Sequence, residues 1–242
     1  MLRDTAIAAQ EQLASLRDLL RQRFPEAAPL DAPSSGVLPS GIKPLDALLP
    51  GGLPCGALSL FSGGVSCGKT SLALAFAASL SHEGGRLAWV HQGGFSTASA
   101  RQAGVCLESL LAVRVSSFEE ARRCTDFLLR HQAFDLVVLD WPGRGGSSKA
   151  WTRLHRLVTG SSEALLVLTP SLRPADPLRY CASLLLDVQR KVSRGKLELS
   201  LGKSRYGRAG EAISLDCPGG LGELLLMPEM PGLGQRWHDE VG

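Results

Sequence analysis

The stretch GGVSCGKTS (Gly63–Ser71) decides the fold of this chain. It matches the phosphate-binding pattern G-x-x-x-x-G-K-[ST] at every fixed position. In such a loop the backbone N–H groups point at phosphates, the lysine reaches the terminal phosphates, and the hydroxyl after it ligates Mg²⁺. We therefore predict that ATP and Mg²⁺ bind here. The predicted nucleotide-binding residues are Gly63, Gly64, Val65, Ser66, Cys67, Gly68, Lys69, Thr70 and Ser71.

The residues around the loop predict a strand before it, ALSLF at 57–61, and a helix after it at 70–81. Short apolar runs then alternate with helical periodicity, which is typical of a parallel sheet covered on both faces. We predict an α/β fold with a mostly parallel central sheet flanked by helices, an N-terminal helix and antiparallel C-terminal strands. The other predicted elements are strands at 86–90, 112–116, 135–140, 164–169, 183–189, 196–201 and 211–215, and a helix at 118–132.

A second candidate ligand for the metal ends the segment DLVVLD (135–140), where four apolar residues lie between two aspartates. Asp140 falls at the carboxyl end of a buried strand, where open α/β sheets bind ligands. A carboxylate there suits Mg²⁺, directly or through water. Many strands simply end in aspartate, but the complete phosphate loop upstream favours Thr70 and Asp140 as the predicted magnesium residues.

Composition narrows the class of protein. The 242 residues, 44% hydrophobic and 20% charged, suit one sizeable globular domain. No segment approaches the roughly 18 uncharged apolar residues of a membrane span, and the first residues are charged where a signal peptide would be apolar. Six cysteines occur without a C-x-x-C pair, which favours neither a zinc site nor a disulfide framework. We predict a cytoplasmic protein that does not contact membranes.

Both ends of the chain differ from its middle. Residues 1–25 predict an amphipathic helix for partner docking, which could equally pack on its own domain; its apolar stripe is Leu13, Leu16, Leu20 and Phe24. Residues 26–40 are rich in Pro, Ala and Ser and predict a linker to a core domain at 41–216. In the tail, 217–242, apolar residues lie among glycines and prolines, which suits either partner binding or a last strand with a frayed end. The tail's predicted partner-binding residues are Leu224, Leu225 and Leu226.

Charge is distributed unevenly. Residues 141–210 contain 13 Lys or Arg and 4 Asp or Glu, a net charge of +9, whereas the remainder carries −6. Such a segment is either an ordinary solvated surface, a set of cations facing a nucleotide across a subunit boundary, or a surface for nucleic acid. Few of the cations lie beside aromatic residues, so base stacking is not indicated. We expect any DNA contact to be weak or indirect.

Three segments in order resemble RecA-type ATPases. They are SGIKPLDALLPGGLPCGALSLFSG (40–63), LRYCASLLLDVQRK (178–191) and LSLGKSRYG (199–207). The resemblance implies a RecA-like core. It also implies that Lys203 and Arg205 match the family's two interface lysines, which reach the nucleotide of the adjacent subunit.

The chain departs from that family where turnover and DNA binding are carried out. Matching on ARQAGV puts Gln92 at the family's water-activating glutamate and Ser99 at its adenine-stacking aromatic residue. Gln92 is a weak catalytic candidate, because glutamine orients water in some phosphoryl-transfer enzymes. The loops after Asp140 and Thr169 are shorter than the family's DNA-binding loops, and Ser171 replaces its coupling glutamine. These departures predict little or no ATP hydrolysis.

This combination is similar to the ImuA family of SOS-induced accessory proteins in translesion DNA synthesis. The similarity implies three partners, namely RecA, an ImuB-like Y-family polymerase homologue and an error-prone DnaE-type polymerase. It also implies association with the nucleoid on DNA damage and control of recombinase filament assembly. Two alternatives stay open from the residues: a DNA-dependent ATPase and recombinase paralogue with genuine turnover, and an autonomous DNA-binding protein.

Overall fold

An eight-stranded sheet organises the part of the chain that the computed structural model describes, residues 36–143, 146–159, 161–191, 195–206 and 209–216. The order of its strands is β10-β9-β8-β3-β7-β6-β4-β5. These strands are β3 (Ala57–Ser62), β4 (Leu87–His91), β5 (Leu110–Arg114), β6 (Leu136–Asp140), β7 (Ala164–Thr169), β8 (Leu184–Lys191), β9 (Lys196–Ser204) and β10 (Ala212–Asp216). The six strands from β8 to β5 run parallel, and β9 and β10 extend the sheet by antiparallel pairing.

Helices cover both faces of this sheet. They are α1 (Lys43–Leu48), α2 (Lys69–His82), α3 (Thr97–Gln102), α4 (Phe118–His131), α5 (Ser148–Thr159) and α6 (Pro177–Cys181), with a 3-10 turn at Leu107–Ser109. Helices α1 to α3 pack in one apolar core, and α4 to α6 pack in the other. Strands β3 and β7 are buried along their whole length, as expected for central parallel strands. The predicted fold class is confirmed.

Strand β5 begins and ends two residues before its predicted range of 112–116. The last two residues of the predicted range and the serine after them compete between pairing in the sheet and capping the next helix. Ser117 caps α4 by accepting a hydrogen bond from the Glu120 N–H, and Ser116 donates through both its N–H and its hydroxyl to the Glu120 carboxylate. These bonds to the first turn of α4 draw Ser116 and Ser117 out of the sheet.

The folded part also starts earlier than the predicted core. Strand β1 (Val37–Leu38) pairs antiparallel with β2 (Leu53–Pro54), and the buried Ser40 donates through its N–H and its hydroxyl to Asp46 Oδ1 at 2.8 and 2.7 Å. Residues 36–40, assigned above to the linker, therefore belong to the fold. The rest of that linker, the predicted 1–25 helix and the 217–242 tail lie outside the described residues.

Every helix among the residues described is too short or too polar to cross a bilayer. The six α-helices among those residues bury their apolar side chains in the two cores that flank the sheet.

A buried carboxyl group precedes β7 at Glu163. The residue is 2% exposed; Oε1 accepts a hydrogen bond from the Phe134 N–H at 3.3 Å, and no described group bonds Oε2. Burial, and secondarily the charge of Asp135, raises the pKa of Glu163 to about 7 despite the Phe134 N–H. The folded protein therefore retains a proton that the unfolded chain releases near pH 4.5.

This proton makes stability depend on pH. Below pH ~4.5 the carboxyl group is protonated in both the folded and the unfolded state, so it does not lower the free energy of unfolding. Between pH ~4.5 and pH ~7 the unfolded chain loses the proton first, so the free energy of unfolding falls as pH rises. We expect Glu163→Gln to raise the free energy of unfolding at pH 8 by up to about 3 kcal/mol and to change it little at pH 4.5. Urea denaturation at both pH values measures this. The exposed Glu83→Gln is the control, and an equal effect of Glu163→Gln at both pH values would contradict the assignment.

Candidate nucleotide-binding site

The phosphate loop lies at the carboxyl edge of the sheet, between β3 and α2. Its first residue, Gly63, donates its N–H to the Thr169 carbonyl at the end of β7. Ser66 and Gly68 adopt left-handed backbone angles, with φ of 57° and 106°, and Gly68 precedes the first turn of α2. The unpaired N–H groups of that turn make a helix N-terminus a binding site for anions.

Gly63 is held between two neighbours that leave no room for a side chain. A Cβ there would lie 2.3 Å from the Val188 carbonyl oxygen of β8 and 2.6 Å from the Cys67 sulfur. Glycine at this position is therefore required by close approach of the backbone. At Gly64, by contrast, a Cβ would meet nothing within 4 Å.

Lys69 folds back over its own loop. Its Nζ donates to the carbonyls of Gly63 at 2.9 Å and Gly64 at 2.7 Å. Beside it is a cavity of about 300 Å³. The residues that line the cavity are Ser66, Cys67, Gly68, Lys69, Thr70, Ser71 and Arg190. Helix N–H groups, an ammonium group and a hydroxyl group suit the phosphates of ATP and their Mg²⁺.

Asp140 ends β6, which β7 separates from β3. Burial raises the pKa of its carboxyl group, and the charge of Lys69 and a favourable contact with the Trp89 indole partly oppose this. The indole N–H does not reach hydrogen-bonding geometry with any described group. Thr70 lines the cavity and Asp140 ends β6, and both offer oxygen ligands of the kind that Mg²⁺ prefers. That the two residues hold one ion together stays a prediction; the charge of the ion would favour the ionised carboxylate.

Gln92 follows β4 directly, but its amide is turned away from the loop. Gln92 Nε2 donates to the Ser116 carbonyl at 3.5 Å, beyond the end of β5 at the sheet's far edge. The preceding His91 is buried, and burial followed by the charge of Arg114 lowers its pKa, which favours the neutral ring. Ser99 lies on α3 with its N–H bonded to Ser96 Oγ, and offers no ring for adenine.

The loops beyond β6 and β7 are short. Seven residues separate β6 from α5, and another seven separate β7 from α6. In the first loop a Cβ on Gly146 would lie 2.5 Å from the indole nitrogen of Trp151, so the loop rests on an aromatic cluster of Trp151, Phe118 and Trp141. In the second, Ser171 is exposed.

Lys203 and Arg205 lie far from the phosphate loop of their own chain. Strand β9 runs antiparallel to β8, which puts Lys203 opposite Leu185 and toward the amino end of the parallel strands. Lys203 Nζ donates to the carbonyls of Arg179 and Tyr180 at 2.9 and 3.0 Å, at the end of α6. Burial, and next Arg205, lowers the Lys203 pKa. Contact with a neighbouring chain's nucleotide stays a prediction.

A basic groove of about 700 Å³ lies between α4 and α5. Its lining residues are Arg130, Ser148, Lys149, Thr152, Arg153, Arg156 and Leu157. Arg130 and Arg153 share one carboxylate, that of Asp126, while no carboxylate in the described part of the chain pairs with Lys149 or Arg156. The groove therefore carries an excess of positive charge. The basic segment is visible in the sequence, whereas the groove depends on how α4 and α5 pack and is not.

Comparisons with known proteins place this geometry in a class. The family model for the RecA N-terminal domain matches residues 30–143. RecA of Bifidobacterium breve is 38% identical over 106 residues, which cover 43% of this chain and 27% of that protein. RecA of Acidothermus cellulolyticus is 34% identical over 137 residues, 56% of this chain and 38% of that protein.

Among solved structures, the RadB recombinase superposes with a TM-score of 0.64 at 24% identity, covering 74% of this chain and 94% of that one. The chain spans between 24% and 38% of the length of the curated relatives that it matches. The chain is an α/β protein with a RecA-like fold. Its most similar sequences include bacterial RecA proteins, and the similarity is concentrated in the half that holds the phosphate loop.

Proposed function

We propose that this protein is a RecA-like adaptor that binds ATP with Mg²⁺ and hydrolyses it little or not at all. The ImuA-like combination of features in the sequence extends this proposal to the SOS response and translesion DNA synthesis. One observation carries it. The phosphate loop and Lys69 line a cavity, whereas Gln92, which the resemblance puts at the position of the family's catalytic glutamate, is an amide turned toward Ser116.

A side chain that cannot take a proton from water affects turnover much more than binding. A positioned base contributes roughly 10²–10⁴ in rate. The contacts that hold phosphate come from the loop backbone, Lys69 and the amino end of α2, and they need no base. Binding without turnover is the expected result.

Nucleotide binding and turnover can be measured on the full chain. We expect Mg-ATP at a hundred times its Kd to stabilise the protein by about 2.7 kcal/mol, and Lys69→Ala to lose most of this stabilisation because the ammonium group is removed. Phosphate release should stay at background. Arg101→Ala, an exposed cation on α3, is the control in a thermal melt. Turnover that single-stranded DNA stimulates and Lys69→Ala abolishes would instead favour the ATPase.

On this proposal the partners are RecA, an ImuB-like polymerase homologue and a DnaE-type polymerase. Two features support association through surfaces of the core. Strand β5 is at an edge of the sheet with Leu111 42% exposed, and an edge strand offers unpaired backbone groups to another chain. Arg205 is exposed at the opposite side of the sheet. Residues 1–25 and the leucines of the tail are the proposed additional contacts.

One deletion and one triple substitution distinguish the segment that binds RecA from the segment that binds the polymerases. We expect loss of residues 1–25 to weaken association with RecA at least tenfold, while replacement of Leu224, Leu225 and Leu226 by serine weakens polymerase recruitment and leaves RecA unaffected. Each variant is the control for the other in co-purification, because each removes apolar contacts from one end only. Undiminished RecA association after the deletion would contradict the role of the N-terminal segment.

The basic groove favours a second function, direct binding of DNA. Lys149 and Arg156 project from one side of α5 without an ion pair to any described carboxylate, so phosphate groups can approach them without displacing a partner. The segment's +9 charge attracts nucleic acid from a distance.

Salt dependence tests the groove. We expect Lys149→Ala with Arg156→Ala to reduce the log–log salt slope of single-stranded DNA binding by about 1.4, at about 0.7 per lost phosphate contact. Arg101→Ala removes a cation from the other face of the sheet and should leave the slope unchanged. Fluorescence anisotropy titrations at several salt concentrations between 50 and 200 mM would give the binding constant at each, and hence the slope. Identical slopes for the double variant and the native protein would remove the groove from consideration.

A further inference from the structure

Strand β8 continues past the end of its parallel neighbour β3. The last residue of β3, Ser62, pairs with Asp187 and donates its hydroxyl to Asp187 Oδ1 at 2.8 Å. β8 runs on for four more residues, to Lys191, alongside the phosphate loop. The Val188 carbonyl then occupies the space next to Gly63, as described above. This register brings the following residues of β8 to the cavity.

Arg190 is the residue of β8 that lines this cavity. Its backbone is held by β9, where it pairs with Leu197. Among the described residues that line the cavity, only Arg190 and Lys69 have a charged side chain. Among the described residues no carboxylate pairs with Arg190, although the adjacent Lys191 forms an ion pair with Glu198 at 3.5 Å. Successive side chains of a strand point to opposite faces, so Arg190 and Lys191 serve different surfaces.

The two cations of the cavity differ in their present contacts. The Lys69 ammonium is bonded to loop carbonyls, whereas the Arg190 guanidinium donates to no acceptor in the part of the chain that the structure describes. A guanidinium group presents paired N–H donors that match two oxygens of a phosphate, which an ammonium group cannot do. An unpaired arginine beside a phosphate loop is therefore suited to a polyphosphate ligand.

We propose that Arg190, together with Lys69, binds the phosphate groups of a nucleotide held in the phosphate loop of the same protein molecule. The proposal rests on the nucleotide binding proposed above and adds a residue outside the loop pattern. Arg190 supplies positive charge and no base, so it adds to phosphate binding and does not replace the glutamate that activates water. A polyphosphate should gain more from it than a single phosphate.

Calorimetric titration of the full chain with ATP tests Arg190. We expect Arg190→Gln to raise the Kd for Mg-ATP by about 10- to 100-fold, the effect of losing a hydrogen bond to a charged group, and to flatten the dependence of log Kd on log salt. Arg190→Lys should recover part of the affinity, because it keeps the charge and loses the paired donors. The Tm without nucleotide should not change, since the side chain is exposed.

Lys191→Gln is the matched control, one residue along the same strand and of the same charge, and it should leave the Kd within about twofold. Native protein that binds ATP while Arg190→Gln binds equally well would overturn this inference and leave the adaptor proposal standing. Equal weakening by Lys191→Gln would also overturn it, because a general electrostatic effect would then be responsible. Native protein that binds no ATP would overturn both proposals.

Discussion

The close approach of Gly63 to β8 is the constraint on which the site depends. A backbone carbonyl of β8 and the Cys67 sulfur occupy the space where any other residue would place its Cβ. The Gly63 N–H is bonded to β7 on the other side. The start of the phosphate loop is thus fixed between the two strands that flank β3. The direction of α2, and with it the direction of its free N–H groups, follows from this arrangement.

On the proposed function, the residues that would hold phosphate and the position at which RecA-type ATPases activate water lie at separate parts of this sheet edge. The loop, Lys69 and Arg190 belong to the β3 and β8 side, while the residues that would orient water follow β4, on the far side of β6. A change after β4 can therefore remove a base without disturbing the cradle. Gln92 illustrates this separation, because its amide contacts the chain beyond β5 and no residue of the loop. The same separation makes a nucleotide-dependent adaptor physically reasonable.

The sequence predicted the elements well where burial decides them. Strands β3 and β7 are continuous apolar runs between helical segments, and their bounds agree within one residue with the prediction. The prediction from sequence failed for features that depend on contacts between residues far apart in the chain. Residues 36–40 belong to the fold because β1 pairs with β2 and Ser40 bonds Asp46. Arg190 was missed because its position depends on the register between β8 and β3, which no local pattern contains. The groove was missed for the same reason, since it needs α4 and α5 side by side.

The antiparallel pair of β8 and β9 connects the two regions to which the proposed function assigns different ligands. Near one end Arg190 lines the nucleotide cavity, and toward the other end Lys203 holds the end of α6 next to the exposed Arg205. A ligand shifts an equilibrium only by its difference in affinity for the two states, and hydrolysis is not required for such a shift. ATP bound near Arg190 can therefore change the affinity of the Arg205 end for a neighbouring chain. The change in binding free energy is at most the difference between the free energies with which ATP binds the two states. A chain without a catalytic base would keep that coupling for as long as ATP stays bound.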